Sequence, residues 1–318
     1  MTTSPAIAFD HVTTFVDGPA GRIAVVDHGG EGPDVLLLHG ANRTLLDWEP
    51  VRPHLPGLRL VAMDLRGHGR SDPPADDDYD WAGHFADVDA VLAAFDLRAP
   101  YLVGHSLGGT VAVRYAAAYG AAGVVDLDGF GGGVPSLYPG LSAAEVKRRR
   151  ADQLAMYRQP AVGDRVDAAG AGALVTQARA LADAFGWDRE LAEAGARRAQ
   201  VPDGDGRFAL RPALRVLPAL MAPLEGWDMF AELRSLTTPA LVVQGGRIPP
   251  LDQLPAEQRE LTEALFSGIS REIDALRVAD GPVAAVRLDD AAHMVHLDAP
   301  HAVAALVRDF IGLGRGPE

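Results

Sequence analysis

The residues best suited to covalent chemistry lie in the segment Gly104-His-Ser-Leu-Gly108. Ser106 follows a short apolar run, Tyr101 to Val103, and precedes a helical pattern from Thr110 to Tyr119. A strand that turns into a helix through Gly-x-Ser-x-Gly holds its serine at the tip of a sharp turn, with glycines where side chains would collide. The N-terminus of the following helix favours negative charge beside that serine. The pattern predicts that Ser106 is a nucleophile, which needs a neighbouring base to take its proton.

The elements around Ser106 predict an α/β fold with a mostly parallel sheet. Short apolar or β-branched runs alternate with helical segments, and such runs are typical of strands covered on both faces. The predicted strands are 10–17, 22–28, 35–38, 59–63, 101–103, 123–128, 239–244 and 283–288. The alternation stops between about 130 and 227, where the segments 142–157, 172–185, 188–200 and 211–222 are predicted as helices. We therefore expect a core from 1–129 and 228–318 and an inserted helical cap, the cap segment, over 130–227.

Composition excludes several classes of protein. The chain has 318 residues, a formal charge of −14 and no cysteine, so disulfides, thiol nucleophiles and thiolate metal sites are excluded. The negative charge disfavours nucleic acid and anionic membranes as partners. No apolar run approaches the roughly 20 residues of a membrane helix, and no signal peptide is visible at the start. We expect a cytoplasmic protein that acts on a small molecule, while its oligomeric state, monomer or homodimer, stays open.

Four motifs, each placed after a predicted strand, carry a resemblance to a known family. They are His39-Gly40, Asp64 to Asp72, Gly104 to Gly108 and Ala292 to Pro300. In this order they resemble the α/β-hydrolase fold superfamily, in its serine esterase/lipase and epoxide-hydrolase-like branch with a helical cap. The resemblance implies that His293 is the base and that the backbone N–H groups of Ala41 and Leu107 form an oxyanion hole. Epoxide hydrolases and dehalogenases of this fold usually have aspartate at the nucleophile position, so the serine favours acyl transfer.

The acid that orients His293 is where the chain departs from the family pattern. Family members usually place it after the strand predicted at 239–244, but Ile248 occupies that position here. Some members carry the acid at the end of the strand before the cap, and that position holds Asp128. We predict Asp128 as the acid. Asp252, Asp126, Asp290 or no acid at all remain as alternatives.

Further residues are candidates for the substrate pocket. They are Asn42, His105, Phe130, Trp187 and Trp227. His293, His296 and His301 are close in sequence, but they lack the carboxylate pattern of a metal motif and match the family loop instead, so no metal site is predicted.

The function expected from the resemblance is a cofactor-free serine hydrolase. It would cleave an ester, thioester or lactone of a small to medium apolar substrate through Ser106, His293 and Asp128, with an acyl-enzyme intermediate. One alternative is a biosynthetic tailoring enzyme that performs acyl transfer, elimination or cyclisation on the same fold. Another is a non-catalytic ligand-binding relative, which the isoleucine at position 248 favours.

Overall fold

The computed structural model describes residues 11–157, 164–248 and 251–313. Within these residues, eight strands form the central sheet: β1 (Thr14–Gly18), β2 (Gly21–Asp27), β3 (Asp34–Leu38), β4 (Arg59–Met63), β5 (Tyr101–His105), β6 (Gly123–Leu127), β10 (Ala240–Gly245) and β11 (Val283–Leu288). The order is β1-β2-β4-β3-β5-β6-β10-β11. The pairs β1–β2 and β2–β4 are antiparallel, and the others are parallel. The predicted α/β class is confirmed, and the carboxyl ends of the parallel strands share one edge.

The central strands form because their apolar residues are buried on both faces of the sheet. In β3, Leu36 and Leu38 belong to the core on one face, whereas Val35 and Leu37 belong to the core on the other. This follows from the two-residue alternation of side chains along a strand. Continuous apolar runs therefore replace the polar–apolar alternation of a half-exposed sheet.

Helices cover both faces and form much of the cap segment. They are α1 (Trp81–Ala94), α2 (Leu107–Tyr119), α3 (Ala143–Tyr157), α4 (Ala168–Phe185), α5 (Arg189–Arg198), α6 (Leu217–Met221), α7 (Met229–Ser235), α8 (Ala256–Arg277), α9 (Val295–Asp298) and α10 (Pro300–Ile311). The segment between β3 and β4 contains two 3₁₀ turns, Leu45–Trp48 and Arg52–His54. None of the described helices is long and apolar enough to span a membrane.

The cap segment also contains a small sheet that the sequence did not predict. Within its described part, the strands β7 (Arg165–Val166), β8 (Gln200–Pro202) and β9 (Phe208–Leu210) pair antiparallel in the order β7-β9-β8. Each strand has two or three residues, which is too short for a periodic pattern to indicate it. Helices α3, α4 and α5 overlap the predicted helices 142–157, 172–185 and 188–200. The helix predicted over 211–222 is instead the five-residue α6 between two 3₁₀ turns, Leu214–Val216 and Ala222–Leu224.

Polar contacts tie the cap segment to the core near the carboxyl edge of the sheet. Arg198 at the end of α5 donates from Nε to Oδ2 of Asp64 at 2.8 Å, and both side chains are buried. Trp187 donates from Nε1 to Oδ1 of Asp298 at 2.7 Å. The second oxygen of Asp298 accepts the N–H of Ala292 at 2.7 Å, so the same carboxylate holds both the cap segment and the loop that carries His293.

Candidate active site

Ser106 occupies a strained turn between β5 and α2. Its φ of 51° and ψ of −118° lie in a region that residues with a side chain rarely adopt. The turn is held by its N–H, which donates to the carbonyl of Leu127 at 3.0 Å. A Cβ at Gly104 would lie 2.2 Å from the carbonyl oxygen of Gly108, and one at Gly108 would lie 2.2 Å from that of Leu38. Both glycines are therefore required for the close contact of strand and helix.

His293 and Asp128 are hydrogen-bonded to each other at the carboxyl edge of the sheet. Nδ1 of His293 lies 2.7 Å from Oδ2 of Asp128. Asp128 follows β6 directly and has a φ of +58°, which Asp tolerates better than most residues. Its Oδ1 accepts the N–H of Gly245, at the end of β10, at 2.8 Å. The strand that usually carries the acid in the family thus supplies a backbone amide that holds the carboxylate of Asp128 in place.

The other carboxylates considered as the acid that orients His293 are not bonded to it. Among the described residues, Asp126, Asp252 and Asp290 form no hydrogen bond with His293. Asp126 is buried against α2, and its Oδ2 accepts the N–H of Gly129 at 3.3 Å. Burial and the neighbouring charge of Asp128 raise the pKa of Asp126 well above its usual value, which favours the neutral acid. Asp128 is the carboxylate in contact with His293.

The electrostatics of His293 suit a general base. Desolvation by the surrounding protein opposes its protonation, but the hydrogen bond to Asp128 and the charge of that carboxylate outweigh it and raise the pKa of His293 above the ordinary 6.5. The imidazole side chain is 52% exposed. A neutral ring that donates from Nδ1 to Asp128 keeps Nε2 unprotonated, so Nε2 can accept a proton.

A second histidine, His105, stabilises the loop that carries His293 through a hydrogen bond. Nε2 of His105 donates to the main-chain carbonyl of His293 at 2.9 Å. Burial, followed by the proximity of His296 and His293, lowers the pKa of His105 well below its usual value. Its neutral ring carries one N–H, and this donor is used on the loop. His296 packs on His105 with ring centroids 4.3 Å apart.

A cavity of about 340 Å³ contains these groups and is lined mainly by apolar side chains. The cavity is lined by Ser106, Asp128 and His293. Most of the remaining lining comes from the core loops, the cap segment and α8, and includes Ala41, Leu107, Phe130, Met221, Leu224, Gln244, Gly245, Arg247 and Ile248. The structure therefore brings the predicted nucleophile, base and acid, and both predicted oxyanion-hole residues, to one cavity.

The other predicted substrate contacts lie outside the described lining of this cavity. Asn42 and Trp187 line a second, smaller cavity of about 150 Å³ between α4, α5 and the loop after β3. His105 is 1% exposed and lies behind His293. Trp227 is hydrogen-bonded through Nε1 to Glu232 and packs on Trp81. Of the five residues, Phe130 lines the cavity that contains Ser106.

One face of α8 was missed as a part of the cavity wall. Thr262, Leu265, Phe266 and Ile269 line the cavity with the spacing i, i+3, i+4 and i+7. This spacing places them on one side of a helix. The periodicity indicates a buried face, but it does not tell which part of the molecule the face contacts.

Close packing also fixes the loop that carries Ala41. A Cβ at Gly40 would lie 2.7 Å from Nδ1 of His105 and 3.2 Å from Cβ of Ser106. His39 anchors the same loop, since its Nδ1 lies 2.7 Å from the Gly40 carbonyl and its Nε2 accepts the N–H of Leu65 at 3.0 Å. Burial lowers the pKa of His39 to about 4, in keeping with a neutral ring that accepts a hydrogen bond.

His293, His296 and His301 each contact a different partner. His296 is buried near Asp47, with Nε2 3.6 Å from its Oδ2, whereas His301 stacks on His54 with ring centroids 3.9 Å apart. His293 instead uses its Nδ1 on Asp128.

Comparisons with known proteins agree with this architecture. The sequence profile described as "Alpha/beta hydrolase family" matches residues 35–306. Protein phosphatase methylesterase 1 of Mus musculus is 40% identical over 100 residues, which is 30% of this chain and 26% of that protein. The chain spans between 26% and 40% of the length of the curated relatives that it matches.

Solved structures extend the similarity of the fold to nearly the whole chain. The crystal structure of E-2-(acetamidomethylene)succinate hydrolase superposes with a TM-score of 0.65 at 23% identity and covers 95% of this chain and 99% of that one. Est816, described as an N-acyl homoserine lactone degrading enzyme, superposes with a TM-score of 0.61 at 22% identity and covers 93% and 100%. Similarity at this level of identity shows the fold alone.

Proposed function

The chain belongs to the alpha/beta hydrolase family, and from this premise we propose that it is a serine hydrolase that cleaves a carboxylic ester, thioester or lactone. The observation that carries the proposal is the 2.7 Å contact between Nδ1 of His293 and Oδ2 of Asp128, in the cavity that Ser106 also lines. A histidine that is oriented by a partly buried carboxylate, beside a serine in a strained turn, is an arrangement that can activate a hydroxyl for attack.

The first half of the reaction transfers the acyl group to the enzyme. Nε2 of His293 takes the proton of the Ser106 hydroxyl while Oγ attacks the carbonyl carbon of the substrate. The negative charge moves to the carbonyl oxygen, which the backbone N–H groups of Ala41 and Leu107 would stabilise. A single such donor typically contributes about 2.7–4 kcal/mol. The N-terminus of α2 adds a favourable dipole at the same place.

Departure of the leaving group completes the first half, and attack by water then releases the acid and restores the enzyme. The tetrahedral intermediate collapses, the bond to the leaving alcohol or thiol breaks, and His293 donates its proton to that group. Water then enters, gives its proton to His293 and attacks the acyl-enzyme. Collapse returns the proton to Ser106 and frees the carboxylic acid. Asp128 remains ionised throughout and holds the imidazole in the required tautomer.

The cavity supports a small to medium, mainly apolar acyl or alcohol group. Its volume of about 340 Å³ lies at the lower end of the range of about 300–1,000 Å³ for ligand pockets. Phe130, Met221, Leu224, Leu265 and Phe266 offer apolar contacts around the reacting groups. Enzymes that act on esters and lactones occur among the similar proteins, as the methylesterase and Est816 illustrate.

Turnover of a panel of p-nitrophenyl esters with acyl chains of increasing length tests the proposal. We expect hydrolysis of the shorter esters and a loss of about 10⁴-fold or more in kcat for Ser106→Ala. Full activity of the Ser106→Ala variant on every ester that the wild type cleaves would contradict the proposal. Consumption of an ester without release of free acid, with transfer of the acyl group to another molecule, would instead support the tailoring enzyme.

A further inference from the structure

Three side chains from separate parts of the chain meet at the edge of the sheet that lies away from Ser106. We propose that His11, His28 and Glu49 form a binding site for a divalent transition-metal ion, with Zn²⁺ as the best match. Nε2 of His11 lies 2.9 Å, and Nε2 of His28 3.8 Å, from Oε1 of Glu49. One potential ligand atom from each of the three residues lies within 4.8 Å of the others.

The polar atoms that face one another in this cluster have no hydrogen-bond partner among the described residues. They are Nε2 of His11, Nε2 of His28 and Oε1 of Glu49, and all three atoms are buried. The 2.9 Å contact between His11 and Glu49 is short, but its angle is not that of a hydrogen bond. The Glu49 side chain is 1% exposed and that of His28 is 5% exposed. Buried polar atoms without partners are costly, and a shared ligand would satisfy all three at once.

The carboxylate of Glu49 is oriented from its other side. Arg52 donates from Nε to Oε2 of Glu49 at 3.0 Å, and its NH2 group lies at 3.0 Å from the same oxygen. Oε1 is thereby left to face the two imidazoles. Carboxylates that bind metals are commonly hydrogen-bonded through groups of this kind, which fix the direction of the free oxygen.

The donor set and its spacing match a zinc site. Two imidazole nitrogens and one carboxylate oxygen are ligands that Zn²⁺ accepts at about 2.0–2.2 Å, and tetrahedral geometry then separates the ligand atoms by about 3.3 Å. The separations of 2.9 and 3.8 Å from Oε1 of Glu49 lie on either side of that value. Imidazole binds metal in its neutral form, so binding should weaken at acidic pH. Three protein ligands leave one tetrahedral position for water.

The location separates this cluster from the reaction. The N–H of His28 donates to the carbonyl of Leu60 near the start of β4, whereas Ser106 follows the carboxyl end of β5, and β4 and β5 are both parallel to β3. His11 precedes β1, His28 follows β2, and Glu49 lies in the turn after β3. A metal at this point would link three segments at the antiparallel edge of the sheet.

Calorimetric titration of the full-length, chelator-treated protein with ZnCl₂ tests the proposal. We expect one equivalent of Zn²⁺ to bind and the Tm of the protein to rise. His11→Ala and Glu49→Gln should each weaken binding by more than about a hundredfold, because changes outside the ligand set alone cost about 10 to 100-fold. The His11 side chain is 22% exposed, so His11→Ala should fold normally. It therefore tests the site even if Glu49→Gln fails to fold.

His54→Ala is the matched control. His54 and His301 stack on each other at the surface, with ring centroids 3.9 Å apart, and are a second histidine pair that could attract Zn²⁺. The variant should bind Zn²⁺ as the wild type does. The proposal is overturned if the wild type binds no stoichiometric Zn²⁺, if His11→Ala binds it equally well, or if His54→Ala abolishes binding.

Discussion

At the scale of single residues, the proposed acid Asp128 lies at a position that differs from the common pattern of the alpha/beta hydrolase family. Ile248 stands where the acid usually follows the strand now identified as β10, and Asp128 extends from the neighbouring strand β6. The two strands are paired, so a carboxylate can reach the same histidine from either one. Gly245 stabilises the arrangement by donating its N–H to Oδ1 of Asp128.

Replacing Asp128 by asparagine should abolish most of the activity without disturbing the turn. The amide NH₂ would face Nδ1 of His293 and hold the imidazole in the tautomer whose Nε2 is protonated. We expect kcat to fall by about 10⁴-fold on the best p-nitrophenyl ester. Asp252→Asn is the control, because Asp252 is exposed and should leave kcat unchanged. A loss of kcat in Asp252→Asn but not in Asp128→Asn would identify Asp252 as the acid.

The pH dependence of kcat/KM should reflect the contact between His293 and Asp128. His293 acts as a base only when neutral, and Asp128 raises its pKa above 6.5. Activity should therefore rise with pH through a midpoint above about 6.5. In Asp128→Asn the two interactions that raise this pKa are lost while desolvation remains, so the midpoint of the residual activity should move to lower pH. An unchanged midpoint would mean that Asp128 does not interact with the catalytic base.

At the scale of elements, close contacts at three glycines position the proposed reacting groups. β5 and α2 meet through Gly104 and Gly108, and the loop after β3 reaches Ser106 through Gly40. Each of these contacts leaves no space for a methyl group. The geometry of the site thus depends on glycines that carry no reactive group of their own.

Gly40→Ala should lower activity by displacing groups that touch it. The new Cβ would lie 2.7 Å from Nδ1 of His105, which is closer than real contacts allow, and 3.2 Å from Cβ of Ser106. Because a displacement of about 1 Å can cost about 10²-fold in rate, we expect kcat to fall by this order. The measurement is steady-state hydrolysis, with circular dichroism to verify the fold.

Gly172→Ala serves as the control for the effect of adding a methyl group. Gly172 lies inside α4, and no atom lies within 4 Å of the position of its Cβ. Alanine should leave kcat unchanged and should stabilise the helix by about 0.5–1 kcal/mol. If Gly40→Ala is as active as Gly172→Ala, then Gly40 does not position the site.

Sequence patterns predict the elements of the core better than the contacts between them. The apolar runs and the Gly-x-Ser-x-Gly turn indicate the central strands and α2, because burial and turn chemistry are local properties. Which of the four candidate carboxylates contacts His293 does not follow from local sequence, because Asp128 and His293 are separated by 165 positions. The same limit explains why the cavity face of α8 and the support from His105 were missed: both depend on packing between distant segments.

At the scale of the whole molecule, the cap segment is held on the core through buried polar contacts as well as apolar ones. Asp64 is fully buried and accepts hydrogen bonds from the N–H groups of Leu45 and Arg70 in addition to Arg198. The guanidinium of Arg198 thus reaches from α5 to a carboxylate that also organises the loops around the site.

Arg198→Leu should destabilise the protein strongly, because it leaves the Asp64 charge buried without its cation. Removal of one partner of a buried ion pair typically costs about 3–5 kcal/mol. Arg197→Leu is the matched neighbour, since Arg197 is 64% exposed and its pairing with Glu193 should contribute at most about 1 kcal/mol. Urea unfolding of both variants measures the difference. Equal midpoints would show that the buried pair does not hold the cap segment.

The most direct test of the central claim is the site of covalent labelling by a fluorophosphonate probe, located by mass spectrometry of the digested protein. A probe of this kind reacts with an activated serine. We expect a single adduct on Ser106 in the wild type, and a sharply lower labelling rate in Asp128→Asn. An adduct on another residue, no labelling of a folded wild-type protein, or equal rates in the wild type and Asp128→Asn would contradict it.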